Sequence, residues 1–468
     1  MAGILALGTY LPARRLARSA IGAALGQDAG AGERAVAAPD EDAVTLAVEA
    51  ARHALRDVPA PAALYFATTS PPYADKTNAT TVHAALDLDE RCAAYDMGAS
   101  VRSALGAFRS AWLSARGGEA VLAVAGEVRT GRPGSMDERD GGDAGAAALL
   151  GPGGPVLAEV LAHEARTAEL LDRWRVPGET ASSLWEERFG ETAYVPLARA
   201  AFQAGLEAAG VTPQAVSRVA VAGLHRRAVR SVAKALGGVA VIDDGVAEIG
   251  NAGAAQPLLL LHRLVEGAAP GEVLVLLTLA DGADCIVLRG GEALGSGYPR
   301  QPDAPALPLS YPAFLTWRGL LDREPPRRPD PPRPAAPPSH RNSRWKFGLV
   351  GSRCAACGTR HLPPERVCLE CRSVDQMDAE PVADVAGTVA TFTVDHLAHS
   401  IVPPVVVGVV DLDGGGRLQC ELTDVDPDAV RVGDRVEMTF RRLYTTTDGV
   451  HDYFWKARPV RTASIERS

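Results

Sequence analysis

The chain has 468 residues, a formal net charge of −9 and 47% hydrophobic residues. That length suits two or three domains, no apolar run approaches the roughly 20 residues of a membrane span, and the acidic balance argues against a general nucleic-acid surface. Lysine is confined to Lys76, Lys234, Lys346 and Lys456, so arginine carries the positive charge.

Met1 leads straight into GILALGTYLP, which reads as a strand and not as a charged start followed by an apolar run; the expected compartment is the cytoplasm. DEDAVTLAVEAARHAL places Val44, Ala47, Val48, Ala51, Ala54 and Leu55 on one helical stripe, with acids from Asp40 to Asp42 at its start. AALYFATTS is a short buried strand, RSALGAFRSAWLSA a small-residue helix and EAVLAVAGEV a strand. ARAAFQAGLEAAG and VSRVAVAGLH repeat the helix–strand alternation. AAQPLLLLHRLVEG is a further helix, and GEVLVLLTLADGADCIVLR closes the series as a strand pair. Such alternation predicts a layered α/β body with buried sheets. The order of elements recurs in the second half, a hint of internal duplication.

From about Gly295 the composition breaks. REPPRRPDPPRPAAPPSHRNSR cannot form a core and reads as an extended, semi-rigid linker. Within it YPAFLTWRGLLDR, Tyr311 to Arg323, predicts one short helix, read as a docking strut with a lip over a substrate tunnel as the alternative.

Four cysteines follow: Cys354, Cys357, Cys368 and Cys371, two C-x-x-C knuckles ten residues apart. Each knuckle points two thiolates at one ion, and zinc accepts four without strain. The other cysteines, Cys92, Cys285 and Cys420, are scattered and make the total odd, which favours metal over disulfides in this setting. A closed four-thiolate site is structural, because no ligand position is left for chemistry. Beyond the knuckles the texture turns to strand, with DLDGGGRL as a hairpin turn. About five strands in about eighty residues suit an OB-fold barrel. Arg441, Arg442, Tyr444, Tyr453, Phe454 and Trp455 are the residues such a barrel could offer to a single strand of nucleic acid, but Asp411, Asp413, Glu421, Asp424, Asp426 and Asp428 dilute them. The expected domains are a body over 1–294, a linker over 295–345, a zinc ribbon over 346–378 and a barrel over 379–465.

GTYLPARRL, TTSPPYADKTNAT, GEVRTGRPGSMDERDGGDAGAAALLG, DRWRVPGETASSLWEERFG, AGLHRRAVRSVAKALG and IGNAGAAQPLL stand in an order and spacing that resembles 3-hydroxy-3-methylglutaryl-CoA synthase, of the thiolase superfamily. The tail resembles the zinc-ribbon and OB-fold modules that accompany prokaryotic thiolases and HMG-CoA synthases. The resemblance implies a duplicated, thiolase-like α/β/α/β/α body. It also implies covalent acyl transfer from coenzyme A: a cysteine thiolate takes the acyl group, a histidine and an asparagine hold the carbonyl, and a glutamate acts as base.

Laid on this sequence, the resemblance gives the histidine as His225 and the asparagine as Asn251; the bland readings are a core histidine and a turn asparagine. The cysteine's position, five residues past Asp96 in YDMGASVRSALGAF, holds Val101, which cannot attack a thioester. Ser100 is adjacent as a substitute nucleophile, although a helical turn points it about 100° away; Cys92 lies on the wrong side of the strand end. The glutamate's position holds Thr69, which is no base near neutral pH. Asp75, Glu127 and Glu138 are set aside as solvated or structural. Arg226 and Arg227 are candidates for a CoA phosphate.

The expected function is therefore an acyl-CoA or acyl-carrier thioester binding protein with a degenerate nucleophile site. It would be a homodimer and possibly the partner of a separate, active thiolase-type subunit in C–C bond formation or cleavage. The alternative is an acyltransferase or thioester decarboxylase that uses His225 and Asn251 without a cysteine.

Overall fold

A computed structural model of the protein describes residues 2–56, 58–236, 238–296, 305–324, 329 and 331–461. Parts of the expected linker, 297–304, 325–328 and 330, lie outside the described residues. The chain divides into two compact units: Met1–Ala37, Asp42–Thr80 and Glu90–Phe314 form the first, and Ala38–Glu41, Thr81–Asp89 and Leu315–Ser468 the second.

In the first unit ten strands form one sheet. The first five are β1 (Ala2–Tyr10), β2 (Ala63–Ala67), β3 (Ala93–Met97), β4 (Val121–Glu127) and β5 (Ala144–Pro152). The second five are β6 (Ala158–Thr167), β7 (Val216–Gly223), β8 (Ala240–Val241), β9 (Val273–Leu279) and β10 (Gly282–Gly290). The spatial order is β8-β7-β9-β10-β6-β1-β5-β4-β2-β3. Each half thus repeats one arrangement, with three parallel strands followed by two antiparallel ones. The halves meet where Gly3 and Ile4 pair with Glu159 and Ala158. The duplication hinted at by element order is explicit in strand order.

Helices complete the layers: α1 (Ala43–Ala54), α2 (Ser103–Arg116), α3 (Glu187–Ala209), α4 (Arg226–Ala235) and α5 (Gln256–Glu266). Alternation along the strands gives each sheet face its own partner. Ala123, Ala125, Ala146 and Ala148 share one apolar cluster with Phe108 and Trp112 of α2, Leu260 and Leu264 of α5, and Leu274 and Ile286 of the second half. Val219, Val275 and Leu277 turn the other way, onto Tyr194, Ala198 and Ala201 of α3 and Val229 of α4. With α2 and α5 packed against strands of both halves of the sheet and α3 and α4 on the other face of the second half, the layering is the α/β/α/β/α order that the family resemblance implies.

α1 lies against the outer face of the first half. Asp42 caps it by accepting the N–H groups of Val44 and Thr45, while the Thr45 hydroxyl accepts the Asp42 N–H. The close packing needs glycine: a Cβ on Gly126 would come 1.8 Å from the Ala43 carbonyl oxygen, and one on Gly8 2.1 Å from that of Ala50.

In the second unit a small sheet of Val350–Cys354, Arg360–His361 and Met377–Pro381 carries the cysteine knuckles. A closed barrel follows, built from Gly387–Asp395, Val405–Leu412, Arg417–Leu422, Arg435–Thr445 and His451–Pro459. Three of the side chains considered for base stacking or phosphate contact are interior: Tyr453, Trp455 and Arg441 are each no more than 3% exposed. Phe440 stacks on Tyr453 with ring centroids 5.6 Å apart, and the Trp455 indole donates to the Phe347 carbonyl at 2.7 Å. These aromatics are core.

The same unit holds a buried ion cluster. Arg441 pairs with Glu41 and, at 3.0 Å, with Asp424; Lys456 pairs with Asp40 at 3.1 Å and Glu421 at 2.6 Å. The helix expected in the linker spans Tyr311–Trp317. No helix among the described residues is long and apolar enough to cross a membrane.

Candidate functional site

The duplication sets up the site. Thr69 stands two residues past the end of β2, and His225 two residues past the end of β7, the equivalent strand. Val101 and Asn251 stand in the connections that lead into α2 and α5, the two helices of the central layer.

Around Thr69 the space is filled. β4, parallel to β2, ends at Glu127, whose side chain is fully buried. Its Oε2 accepts the Thr69 N–H at 2.8 Å and the Thr68 hydroxyl at 3.3 Å. Its Oε1 accepts the Thr69 hydroxyl, and the Arg129 Nη1 at 3.3 Å. Arg129 also donates to the Thr69 hydroxyl oxygen at 3.3 Å, and Arg175 donates to the Thr69 carbonyl. Glu127 is a structural carboxylate, enclosed and not solvated. Glu138 is likewise buried; it accepts from the Tyr311 hydroxyl at 3.1 Å and the Gly134 N–H at 2.7 Å, and burial raises its pKa.

Asn251 is 4% exposed. Its Nδ2 donates to the Gly223 carbonyl at 2.9 Å and its Oδ1 accepts the Gly253 N–H at 3.0 Å. The turn presses on Glu127: Gly253 has φ +50°, and a Cβ there would lie 2.8 Å from Glu127 Oε1. Asn251 therefore does the work of a turn asparagine, holding the end of β7 beside Glu127.

His225 caps α4, its Nδ1 accepting the Ala228 N–H at 3.1 Å. A neutral ring that accepts at Nδ1 carries its proton at Nε2. Nε2 faces α3 so closely that a Cβ on Gly190 would come within 2.5 Å. The cavity that His225 borders, with Asp137, Asp172, Arg173, Trp185 and Leu224, holds about 40 Å³. Pockets for small molecules usually run to about 300–1,000 Å³. Arg226 pairs with Asp244, and Arg227 with Glu191 at 3.4 Å, so both candidate phosphate contacts already have carboxylate partners.

Val101 is part-buried in the turn ahead of α2, and Ser100 is exposed beside it. Ser100 lines a different cleft, of about 520 Å³, with Arg102, Arg109, His163 and Asp284. Arg102 donates to Asp284 at 2.8 Å, and His163 lies 3.2 Å from the other oxygen of that carboxylate. The structure thus groups Thr69, Asn251 and Glu127, sets His225 past the end of β7 in the other half of the sheet, and gives Ser100 to a different cleft. Asp96 holds the turn at residues 78–79, accepting the Asn78 and Ala79 N–H groups at 2.8 and 2.7 Å. Of the scattered cysteines, burial pushes the Cys285 thiol far above its usual range and that of Cys420 up to about 12; neither is a nucleophile near neutral pH. Arg129 and Arg175 escaped the sequence reading, since nothing in an arginine's local pattern reports where its guanidinium ends.

The four knuckle cysteines fit a metal. Their Sγ atoms all lie within 4.8 Å of one another, with Cys354–Cys371 at 3.6 Å and Cys357–Cys368 at 3.5 Å. Four thiolates at the usual zinc distance of about 2.3 Å would stand about 3.8 Å apart, whereas a disulfide needs about 2.05 Å. The Ser373 hydroxyl lies 3.2 and 3.1 Å from the sulfurs of Cys354 and Cys371, where a hydrogen bond to a thiolate orients it toward the ion. Gly358, with φ +77°, supplies the left-handed turn after the first knuckle.

Comparison with known proteins agrees with this architecture. The ChsH2 rubredoxin-like zinc ribbon domain matches residues 348–377, and the ChsH2 C-terminal OB-fold domain matches residues 379–441. A DUF35 domain-containing scaffold protein of Methanothermobacter thermautotrophicus is 32% identical over 118 residues, 24% of this chain and 88% of that protein. A hydroxymethylglutaryl-CoA synthase of Archaeoglobus fulgidus is 30% identical over 324 residues, 64% of this chain and 92% of that protein. Among solved structures, an HMG-CoA synthase complexed with CoA superposes with a TM-score of 0.58 at 18% identity, covering 67% of this chain and 89% of that one. The β-ketoacyl-[acyl carrier protein] synthase III of Thermus thermophilus gives 0.52 at 24% identity, covering 62% and 98%.

Fold and site together define a thiolase-like body carrying a zinc ribbon and an OB-fold barrel. The chain belongs to the hydroxymethylglutaryl-CoA synthase family.

Proposed function

We propose that this chain binds an acyl-CoA or acyl-carrier thioester without forming an acyl-enzyme, and acts as the non-covalent partner of an active thiolase-type acyltransferase. The observation that carries this reading is the state of Thr69. The residue in the base's position gives its N–H and hydroxyl to buried Glu127 and its carbonyl to Arg175. Val101 in the nucleophile's position offers no attacking atom. Coenzyme A comes to the proposal from the complex formed by the HMG-CoA synthase of the same fold, and a partner role from the scaffold named in the archaeal relative of the tail. Zinc at Cys354, Cys357, Cys368 and Cys371 would hold the ribbon rigid as a structural ion.

The second reading, thioester decarboxylation through His225 and Asn251, needs donors aimed at a developing enolate. The Asn251 oxygen and one of its N–H bonds are already taken within the protein, which weighs against it.

Calorimetric titration of the full chain with acetyl-CoA, followed by sedimentation with a thiolase encoded beside it, tests the proposal. Saturable binding without turnover and a heavier joint complex are expected. Absence of both binding and complex would remove the proposal.

A further inference from the structure

Arg129 and Arg175 both reach Thr69 at the end of β2, but among the described residues only Arg129 pairs with an acid there. Arg34, fully buried, lies 3.5 Å from Asp143, which also accepts the Arg129 N–H at 2.8 Å. Arg129, 7% exposed, lies 3.3 Å from Glu127. Arg175 instead donates to a neutral partner, the Thr69 carbonyl, and feels the charge of Glu127 without pairing with it. Partial burial, and then the like charge of Arg129, lower its pKa. Among the described residues no carboxylate pairs with this guanidinium.

Its setting shows which anion fits. Glu127 demonstrates that this corner accommodates one carboxylate, received by the Thr69 N–H, the Thr69 hydroxyl and Arg129. Arg175 adds a positive charge beyond that neutralised pair, from a residue that is exposed overall while its contact with Thr69 is part-buried. It sits on the 171–185 segment, whose Arg173, Leu184 and Trp185 line the cavity at His225. Asn251 links the two places, bonded to Gly223 at the end of β7 and, through the Gly253 turn, pressed on Glu127. A planar guanidinium fork matches a carboxylate in two parallel hydrogen bonds.

Resting on the thioester-binding reading above, the geometry points to Arg175, backed by Arg129, as the residue that reads a carboxylate on the acyl group, so that the preferred ligand is a carboxyacyl thioester. The carboxylate replaces the Thr69 carbonyl as the partner of Arg175. A CoA phosphate is the other source of such an anion, and matched ligands separate the two.

The test is calorimetric titration of the full chain with malonyl-CoA and succinyl-CoA against acetyl-CoA and butyryl-CoA, for wild type, Arg175→Gln and Arg175→Lys, with far-UV circular dichroism as the check on folding. Wild type is expected to bind the carboxylated ligands at least about tenfold more tightly, as one charge-assisted pair warrants. In Arg175→Gln that ratio falls toward one, and Arg175→Lys recovers part of it; should the glutamine variant not fold, the lysine variant carries the comparison through its reduced ratio. Equal wild-type affinities for both ligand classes overturn the inference and leave thioester binding standing. An equal loss for all four ligands in the Arg175 variants assigns the residue to a CoA phosphate and also overturns it. If no thioester binds, the functional proposal falls and takes this inference with it.

Discussion

The carboxylate of Glu127 accepts the backbone N–H of Thr69 at 2.8 Å and receives its hydroxyl as well. This pair ties together the ends of two parallel strands at the point where the family resemblance places a glutamate base. A threonine bound in this way is part of the frame. Its partner cannot take up the base's role while it is held by Thr68, Thr69 and Arg129.

Removing either side should cost stability unequally. Glu127→Ala leaves the Arg129 guanidinium buried without its acid, and a loss of about 3–5 kcal/mol is expected. Thr69→Val keeps the backbone bond and deletes only the hydroxyl, for about 1–3 kcal/mol. Urea denaturation of both variants measures this. Two midpoints indistinguishable from wild type would mean that the pair does not hold the strand ends.

His225 is a helix cap before it is anything else. His225→Ala should lose about 1 kcal/mol, whereas His225→Asn, which restores a capping side chain, should lose much less. Thermal unfolding compares the two. Equal losses would shift the importance of His225 from its Ala228 contact to the Nε2 side.

Much of the fold was legible, for reasons that differ along the chain. AALYFATTS, EAVLAVAGEV and the 271–289 strand pair are continuous apolar runs of strand length. The 40–55 helix combines a stripe with a cap, and the knuckle cysteines have a spacing with one common chemical use. By residue pattern alone the strands Ala93–Met97 and Ala144–Pro152 are faint, since one is half-exposed and the other is dominated by Ala and Gly, which carry little strand signal. The readings of Val101 and Thr69 as the nucleophile and base positions rest on the family resemblance alone. What fills the space around Thr69 was not readable, because Glu127, Arg129 and Arg175 meet through tertiary packing across distant parts of the sequence.

The ribbon should depend on its metal. Purified protein is expected to carry about one zinc ion per chain, and Cys354→Ser or Cys368→Ser to carry almost none, with the 348–377 segment losing protection from proteolysis. Metal analysis with limited proteolysis measures both. A zinc-free chain whose ribbon resists proteolysis would contradict a structural metal.

The ion cluster in the second unit sets an acid limit. Burial pushes the Asp40 carboxyl up, but Lys456 and Arg441 outweigh it and hold the pKa down at about 2. With the folded value below the ordinary 3.8, Asp40 contributes stability that is complete above the ordinary value and is lost as pH falls from there through about 2. Glu41, raised chiefly by burial, works the other way as pH rises past its ordinary 4.5. Asp40→Asn should therefore flatten the acid limb of the stability curve between about pH 4 and pH 2. Arg441→Met should cost about 3–5 kcal/mol by stranding Glu41 and Asp424, and Glu41→Gln added to it should recover part of the loss. Urea midpoints across pH test both; an unchanged acid limb in Asp40→Asn would contradict the assignment.

Intact-protein mass spectrometry after incubation with acetyl-, acetoacetyl- and malonyl-CoA goes directly to the claim that this chain handles thioesters without covalent chemistry. No acyl adduct is expected on the wild-type chain, with the adduct forming instead on an active thiolase supplied alongside. A stable adduct on this chain, mapped to Ser100 or to Cys92, would restore an acyl-enzyme and contradict the non-covalent role.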